Sequence, residues 1–457
     1  MGYNAGDPSN LRFYNIPSSG TVEAHLVDER LGNTNREGVW FFRLDVNPIL
    51  DLPAKKCYTW IQQQDNIQVP AIRPCPCTLD QAVADKNFYV DYNQVVAKRS
   101  NLTLCAYSVR DLTSRWAQQC CYTEIPGGGR VLSVGPTEGG TPFLIGIPGL
   151  PIITDLEAHS YCCNASLCAR YYQLRPSDTC SRYSSRREAL IWGDPHFVTL
   201  DNKAYTFNGL GEYTMISIDN VGFELQARTK KTSGRGLGTV FSAAVAKEAN
   251  TAAVEGRINS QGELEVFVAG IQQNILTVAE RGTLISGSNI TLIRETAGSI
   301  SALFPSGISI SFSRVSDALA TTFNGPIEFV NHTKGLLGTW NDDPSDDFTT
   351  PDGTVLPADA TPQQIHYDFG LKWQIHASQS LFTYQAHENP STFIDLSYVP
   401  MFIDNITWTN ESFRRQAESV CGNNTHCLFD AAVTVDCSFG KSTKELEENN
   451  VQVNIKL

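Results

Sequence analysis

Residues 191–200 read IWGDPHFVTL, an apolar segment entered through Gly193-Asp194-Pro195-His196. Proline at the first residue of a β-strand is ordinary, because it has no N–H to give to the ladder. Asp-Pro is equally ordinary as the start of a turn. The same residues also carry chemistry. The Asp194 carboxyl can swing onto its own carbonyl carbon and close a five-membered anhydride, expelling the proline nitrogen. That nitrogen belongs to a tertiary amide, which resists twisting less than other peptide bonds. An adjacent histidine titrates near neutrality and can act as general acid, and proximity within one chain supplies much of the acceleration. No Ser, Thr or Cys follows the Asp194-Pro195 bond, which excludes an N→O or N→S acyl shift. The residues leave two readings open, a simple turn and a bond that cuts itself.

Outward from this point the period-two pattern decides the fold class. In FELQART, Phe223, Leu225 and Ala227 alternate with Glu224, Gln226 and Arg228, and GISISFS repeats this with Ile308, Ile310 and Phe312. ELEVFVAG and NITLIRE behave alike, and Gly, Asn and Ser divide the runs. Such spacing predicts a mainly β fold for 188–385, an antiparallel sandwich or barrel-like meander without βαβ alternation. Residues 386–457 hold the last three cysteines and end in the charged KSTKELEENNVQVNIKL, which reads as a linker or a truncated module.

The chain has 457 residues, enough for two to four domains. Its net charge of −13 and its lack of a Lys/Arg cluster argue against nucleic acid as a partner. Ten of the 13 cysteines fall early: Cys57, Cys75, Cys77, Cys105, Cys120, Cys121, Cys162, Cys163, Cys168 and Cys180. About 240 residues without any precede Cys421, Cys427 and Cys437. A dense even set followed by a gap predicts a disulfide-stapled unit beside one that builds its own core. Zinc would call for paired C-x-x-C clusters, which are missing. Sequons at Asn101, Asn164, Asn289, Asn331, Asn405, Asn410 and Asn423 agree with an extracellular, oxidising setting. The first residues have no signal-peptide pattern and no apolar run is long enough to span a bilayer, so the sequence reads as an internal piece of a longer ectodomain.

Residues 1–50 read as the end of a domain that begins upstream, and 51–187 as the cysteine-rich unit. Thr78 with Gln81 three residues later predicts a capped short helix. VRDLTSRWAQQCCYTE (109–124) is expected to be a second helix, and the Gly/Pro-rich 125–143 a loop.

These residues carry a resemblance. WGDPHFVTLDNKAYTFNGLGEYTMI (192–216) and GLLGTWNDDPSDDFTTPDG (335–353) resemble the opening and the late acidic loop of a von Willebrand factor type D domain. WAQQCCYT and YCCNASLCARYYQLRPSDTC look like the adhesion-associated AMOP module, and GYNAGDPSNLRFYNIPSS is similar to the end of a NIDO domain. That order is the one found in membrane mucins of the mucin-4 type, in sushi-domain-containing membrane proteins and in the insect junction protein Mesh. The resemblance implies a small disulfide-rich α+β AMOP module followed by an antiparallel sandwich-like type D domain. It also implies self-cleavage between Asp194 and Pro195, with Gly193 and His196 completing the motif.

Hard oxygen donors crowded in NDDPSDD suit Ca²⁺, although the spacing is not that of an EF-hand. The resemblance implies metal roles for Asn341, the Asp343 backbone, Asp346 and Asp347, with Asp201 added from the first strands. A solvated acidic turn is the bland alternative. The sequence departs from the family pattern at Thr339, where an Asn ligand is usual, and at Leu337, where a cysteine is usual. With GLLG in place of a Cys-bearing motif, disulfide polymerisation through this domain is not expected.

Motifs for acting on other molecules (G-x-S-x-G, H-E-x-x-H, Walker A, a Rossmann glycine run) are missing, so no enzyme beyond self-cleavage is expected. The functional expectation is an extracellular adhesion or junction glycoprotein, held at the outer face of the plasma membrane by a flanking segment. Its partners would be other cell-surface or matrix proteins and its own cleaved half. The alternative is a secreted matrix or mucin-like assembly component.

Overall fold

The computed structural model describes residues 21–23, 47–49, 52–64, 67–70, 72–90, 104–109, 116–133, 141–144, 154–232, 235–279, 282–395 and 397–456. Of the NIDO-like stretch only Thr21–Glu23 and Asn47–Ile49 are among them, paired antiparallel. Asn101 and GYNAGDPSNLRFYNIPSS lie outside the described residues.

Among the described residues, the cysteine-rich unit combines a five-stranded antiparallel sheet with four helices. Thr78 caps Leu79–Ala84 and Gln81 reaches back to it, the reciprocal arrangement expected from the sequence. The helix expected at 109–124 is corrected: Trp116–Glu124 is a strand pairing with Leu104–Ser108, Arg130–Leu132 and Thr141–Leu144. Two of those partners lie in the stretch expected to be a loop. Period-two burial of Gln118, Cys120 and Tyr122 drives this choice, and it sends adjacent cysteines to opposite faces. Cys120 joins Cys75 while Cys121 joins Cys105, and Cys162 joins Cys57 while Cys163 joins Cys168. Cys77–Cys180 completes the set, so all ten early cysteines pair among themselves. Beneath the staples lies a buried charge. Arg175, 1% exposed, is held by the Asp155 carboxylate at 2.8 Å, and Trp60 Nε1 donates to the other Asp155 oxygen at 2.8 Å. A charge this deep is tolerated only when it is paired.

Residues 186–334 form two antiparallel sheets of eight and seven strands with no cysteine between them. Phe197, Phe223, Phe241, Phe304, Phe312, Trp340 and the predicted Ile308 and Ile310 are buried in one core. Gln226 and Arg228, expected to face solvent, are buried as well. The strap 376–398 covers that face: Gln226 exchanges hydrogen bonds with Gln379 and Leu381. The Arg228 guanidinium packs over the Phe382, Tyr384 and Phe393 rings while pairing with Glu212.

Of the two readings of the tail, linker or truncated module, the linker is corrected. Helices Glu411–Cys421, Thr425–Thr434 and Cys437–Lys456 form a packed unit, stapled by Cys421–Cys427. Cys437 is a free thiol, buried against Ala417 and Ala431. Asn410 and Asn424 cap the first two helices, which is why a polar stretch folds there. Among the described residues no helix is long and apolar enough to cross a membrane.

Candidate self-cleavage site and metal loop

Strand Arg186–Trp192 turns directly into His196–Val198, with Trp192 and His196 paired across the turn. Gly193, Asp194 and Pro195 are therefore the loop of a tight hairpin, and the whole loop is buried. Gly193 takes φ +62°, and a Cβ there would stand 2.7 Å from Asp430 Oδ2. Both conditions call for glycine.

Asp194 Oδ1 accepts the Thr239 N–H at 3.0 Å, and the same N–H is shared with Asn208 Oδ1 at 2.8 Å. Asp194 Oδ2 is buried with no partner. Burial, reinforced by the nearby Asp430 charge, pushes this carboxyl well above the usual carboxylate range. It sits at the bond with one oxygen free of any partner.

His196 is fully buried, with its Nδ1 on the Thr206 hydroxyl at 2.8 Å and its Nε2 on Asp430 Oδ1 at 2.7 Å. The arrangement suits a neutral ring that donates from Nε2 to the carboxylate and accepts at Nδ1. Burial lowers its proton affinity, and the attraction of Asp430 opposes this only in part. Both ring nitrogens are engaged, one by the Thr206 hydroxyl and the other by the Asp430 carboxylate.

The surprise is where Asp430 comes from. It lies on helix Thr425–Thr434, 234 residues from His196. Its second oxygen accepts from the Thr443 hydroxyl on the following helix. The His426 ring lies 4.4 Å from that of His196, and its Nδ1 meets Glu447 at 3.2 Å. That contact, before any other, holds the Glu447 carboxyl down at about 2. Sequence reasoning missed all of these residues. A signal was present, since Asp430 is the one charge in the apolar run CLFDAAV.

The acidic loop gathers around Asp201. Its Oδ2 accepts the backbone N–H of Asn341 at 3.0 Å and of Asp343 at 3.2 Å. Asn341 Nδ2 donates to Asp346 at 2.7 Å. Asp201 Oδ1 and Asp346 Oδ1 are buried without partners, as oxygens waiting for a cation would be. Asp347 is different: the Thr199 hydroxyl and the Thr339 N–H occupy its two oxygens, and burial raises it to about 7. The Asp343 carboxylate is turned to its own loop, accepting from Ser345. No three of these carboxylates bring one oxygen each within 4.8 Å of one another. Asp201 Oδ1 and Asp346 Oδ1 are thus the loop's unpartnered oxygens, while Asn341 Oδ1 accepts the Asp343 N–H and the Asp347 and Asp343 carboxylates are occupied. A second cluster, His159, Cys163 and Cys168, has both sulfurs committed to a disulfide and His159 Nε2 on the Tyr172 hydroxyl.

Asn164, Asn289, Asn331, Asn405, Asn410 and Asn423 are all exposed, as acceptors of glycans must be.

The paired sheets, the buried GDPH turn and the acidic loop define a type D domain. Residues 189–354 match the von Willebrand factor type D domain family, and residues 407–455 match the Mucin-4-like C8-3 domain. The chain is 34% identical over 423 residues to Sushi domain-containing protein 2 of Homo sapiens, covering 85% of this chain and 50% of that protein. It is 29% identical over 485 residues to Mucin-4 of Homo sapiens (100% of this chain, 8% of that protein) and 26% identical over 440 residues to Protein mesh of Bombyx mori (85% and 28%). These are the relatives that the motifs indicated, and the chain spans half or less of each. The helical unit is thus a domain of its own kind, which the sequence reading did not name.

Proposed function

We propose that this chain belongs to an extracellular adhesion or junction glycoprotein that cuts its own Asp194-Pro195 bond and keeps both pieces together. The observation that carries this is the buried Gly-Asp-Pro turn, where an Asp194 carboxyl with one unpartnered oxygen, its proton affinity raised by burial, sits at its own peptide bond. Burial keeps an external protease away from the bond.

In the reaction, an Asp194 carboxyl oxygen bonds to the Asp194 carbonyl carbon and the C–N bond to Pro195 breaks. The carboxyl proton goes to the proline nitrogen. Water then opens the anhydride, leaving a free Asp194 C-terminus and a Pro195 amine. Strand Arg186–Trp192 would remain in the first piece, inserted between Ala318–Pro326 and His196–Val198 of the second. Its membership in the sheet holds the pieces together, because none of the six disulfides crosses residue 194.

The disulfides and exposed sequons support an extracellular setting, with other cell-surface or matrix proteins as partners. The AMOP-like and NIDO-like stretches and a membrane-bound parent belong to the same reading. Calcium, when bound, would neutralise the acidic loop through Asp201, Asn341 and Asp346. The secreted, mucin-like alternative keeps support from the likeness to mucin-4. Against disulfide polymers stands Leu337, buried in the core where it offers no thiol.

The test is expression in a secretory host, comparing wild type with Asp194→Ala on denaturing gels. Two bands with a new N-terminus at Pro195, absent from the variant, are expected. One full-length band for wild type after incubation across mildly acidic pH would overturn self-cleavage.

A further inference from the structure

We propose that Asp430, on the C-terminal helical unit, is a positioning residue of the cleavage site, so that the type D domain alone does not hold a complete site. The inference rests on the self-cleavage reading and adds to it a requirement from a different domain.

A carboxylate in the middle of an apolar helix needs a reason. Asp430 lies among Phe429, Ala431, Ala432 and Val433, all at most 1% exposed, and is itself fully buried. Placing a charge there costs several kcal/mol unless its partners compensate. An apolar residue would serve helix packing better. The partners it has are His196 Nε2 at 2.7 Å and the Thr443 hydroxyl, with the Gly193 backbone close beside Oδ2. Two of these three contacts are residues of the GDPH turn itself.

The geometry gives Asp430 two tasks. Its hydrogen bond to Nε2 fixes the imidazole tautomer and the ring plane, and the ring in turn packs against Trp192 across the hairpin. The turn is thereby held in one conformation with the Asp194 side chain against Thr239. Its negative charge also lies near Asp194, so it favours the protonated carboxyl that must hand its proton to the leaving nitrogen. The titratable groups facing this cluster are Asp194, His196, Tyr398, His426 and Glu447. Glu447 and His426 pair with each other and come from the same two helices that bring Thr443 and Asp430.

The order of events follows. Until helices Thr425–Thr434 and Cys437–Lys456 have docked on the hairpin, His196 lacks its partner and the bond stays intact. A chain that cuts only after its later domain has folded would not release half-made pieces.

The experiment uses the whole chain: wild type, Asp194→Ala, Asp430→Asn and Thr443→Val. The first-order appearance of the Pro195 N-terminus is followed from pH 4.5 to 8, with Tm measured for each. Asp430→Asn keeps the shape and an acceptor for Nε2–H but removes the charge. It is expected to slow cleavage about tenfold or more and to move the pH profile. Thr443→Val removes one donor to Asp430 while keeping the side-chain size beside Gly193, and is expected to slow cleavage less, with the wild-type profile retained. If Asp430→Asn loses its fold, the Thr443→Val rate decides alone. Wild type cutting while the variants cut within twofold of it, on the same profile, would overturn the role of Asp430. A wild type that never cuts would instead overturn the self-cleavage reading beneath it.

Discussion

Gly238 touches the Asp194 carboxyl so closely that a Cβ on Gly238 would stand 2.0 Å from Oδ2. The oxygen without a partner is thus walled in by a residue with no side chain, at the start of strand Thr239–Lys247 in the opposite sheet. Gly238→Ala must push the carboxyl away or move the strand, a strain of about 1–3 kcal/mol. The expected outcome is a lower Tm and a smaller cleaved fraction on denaturing gels. A folded Gly238→Ala protein that cuts at the wild-type rate would separate this contact from the chemistry.

The two pieces are joined by sheet pairing and packing. Leu190 and Ile191 pair on both sides, to Thr322 and Thr321 in one direction and to Val198 and Phe197 in the other. Cleaved protein is expected to migrate as two species on a non-reducing denaturing gel yet to elute as one under native conditions. Denaturant should separate the pieces without reductant. Persistence of one band without reductant, after complete cutting, would mean that a disulfide spans the bond.

Cys57–Cys162 ties helix Leu52–Gln62 to helix Asp155–Asn164 across a separation of 105 residues. A loop this long gains much from closure, and its loss costs about 2–5 kcal/mol. The double change Cys57→Ser with Cys162→Ser is expected to lower secretion and to melt the cysteine-rich unit at lower temperature. The type D melting transition should stay in place, because that core contains no cysteine. Calorimetry that shows both transitions shifted equally would count against the independence of the two cores.

For the acidic loop, the unpartnered oxygens of Asp201 and Asp346 predict that Ca²⁺ raises Tm and that a chelator lowers it. Asp201→Asn should abolish most of this response, while Asp347→Asn should leave more of it, since Asp347 already serves Thr199 and Thr339. Isothermal titration with Ca²⁺ reads the difference. An Asp347→Asn loss as deep as that of Asp201→Asn would restore Asp347 to the ligand set.

The strands were legible because their apolar residues recur with period two and enter one core, as Ile308, Ile310 and Phe312 illustrate. The exceptions have local causes. Arg228 is buried because a strap with three aromatic rings folds over it, and nothing within FELQART announces a strap 150 residues away. Trp116–Glu124 was misread because its period-two pattern sits behind helix-tolerant Arg, Ala and Gln. At the site, GDPH was legible as chemistry, but its partners were not. Hydrogen bonds between residues 196 and 430 are set by domain docking, which no local pattern encodes. The charged tail looked like linker because its few apolar residues, such as Leu446 beside Trp192, are spaced for a helix packed on one side only.

His366 supplies the last expectation, one that concerns acid. Its side chain is buried, 2% exposed, with neither ring nitrogen hydrogen-bonded, among Phe207, Tyr367 and Phe402. Burial pushes it down to about 4, from about 6.5 in the unfolded chain. A depressed value means that the folded state favours the neutral ring. The stability it contributes is present above pH 6.5 and is lost as pH falls from there toward 4. His366→Phe fills the same space without a titrating group, so its Tm should fall less between pH 7 and pH 4.5 than that of wild type. The expected difference is about 5–10 °C, the shift that roughly 2.5 kcal/mol produces in a domain of this size. Parallel Tm–pH curves for the two proteins would show that His366 finds a partner for its proton within the fold.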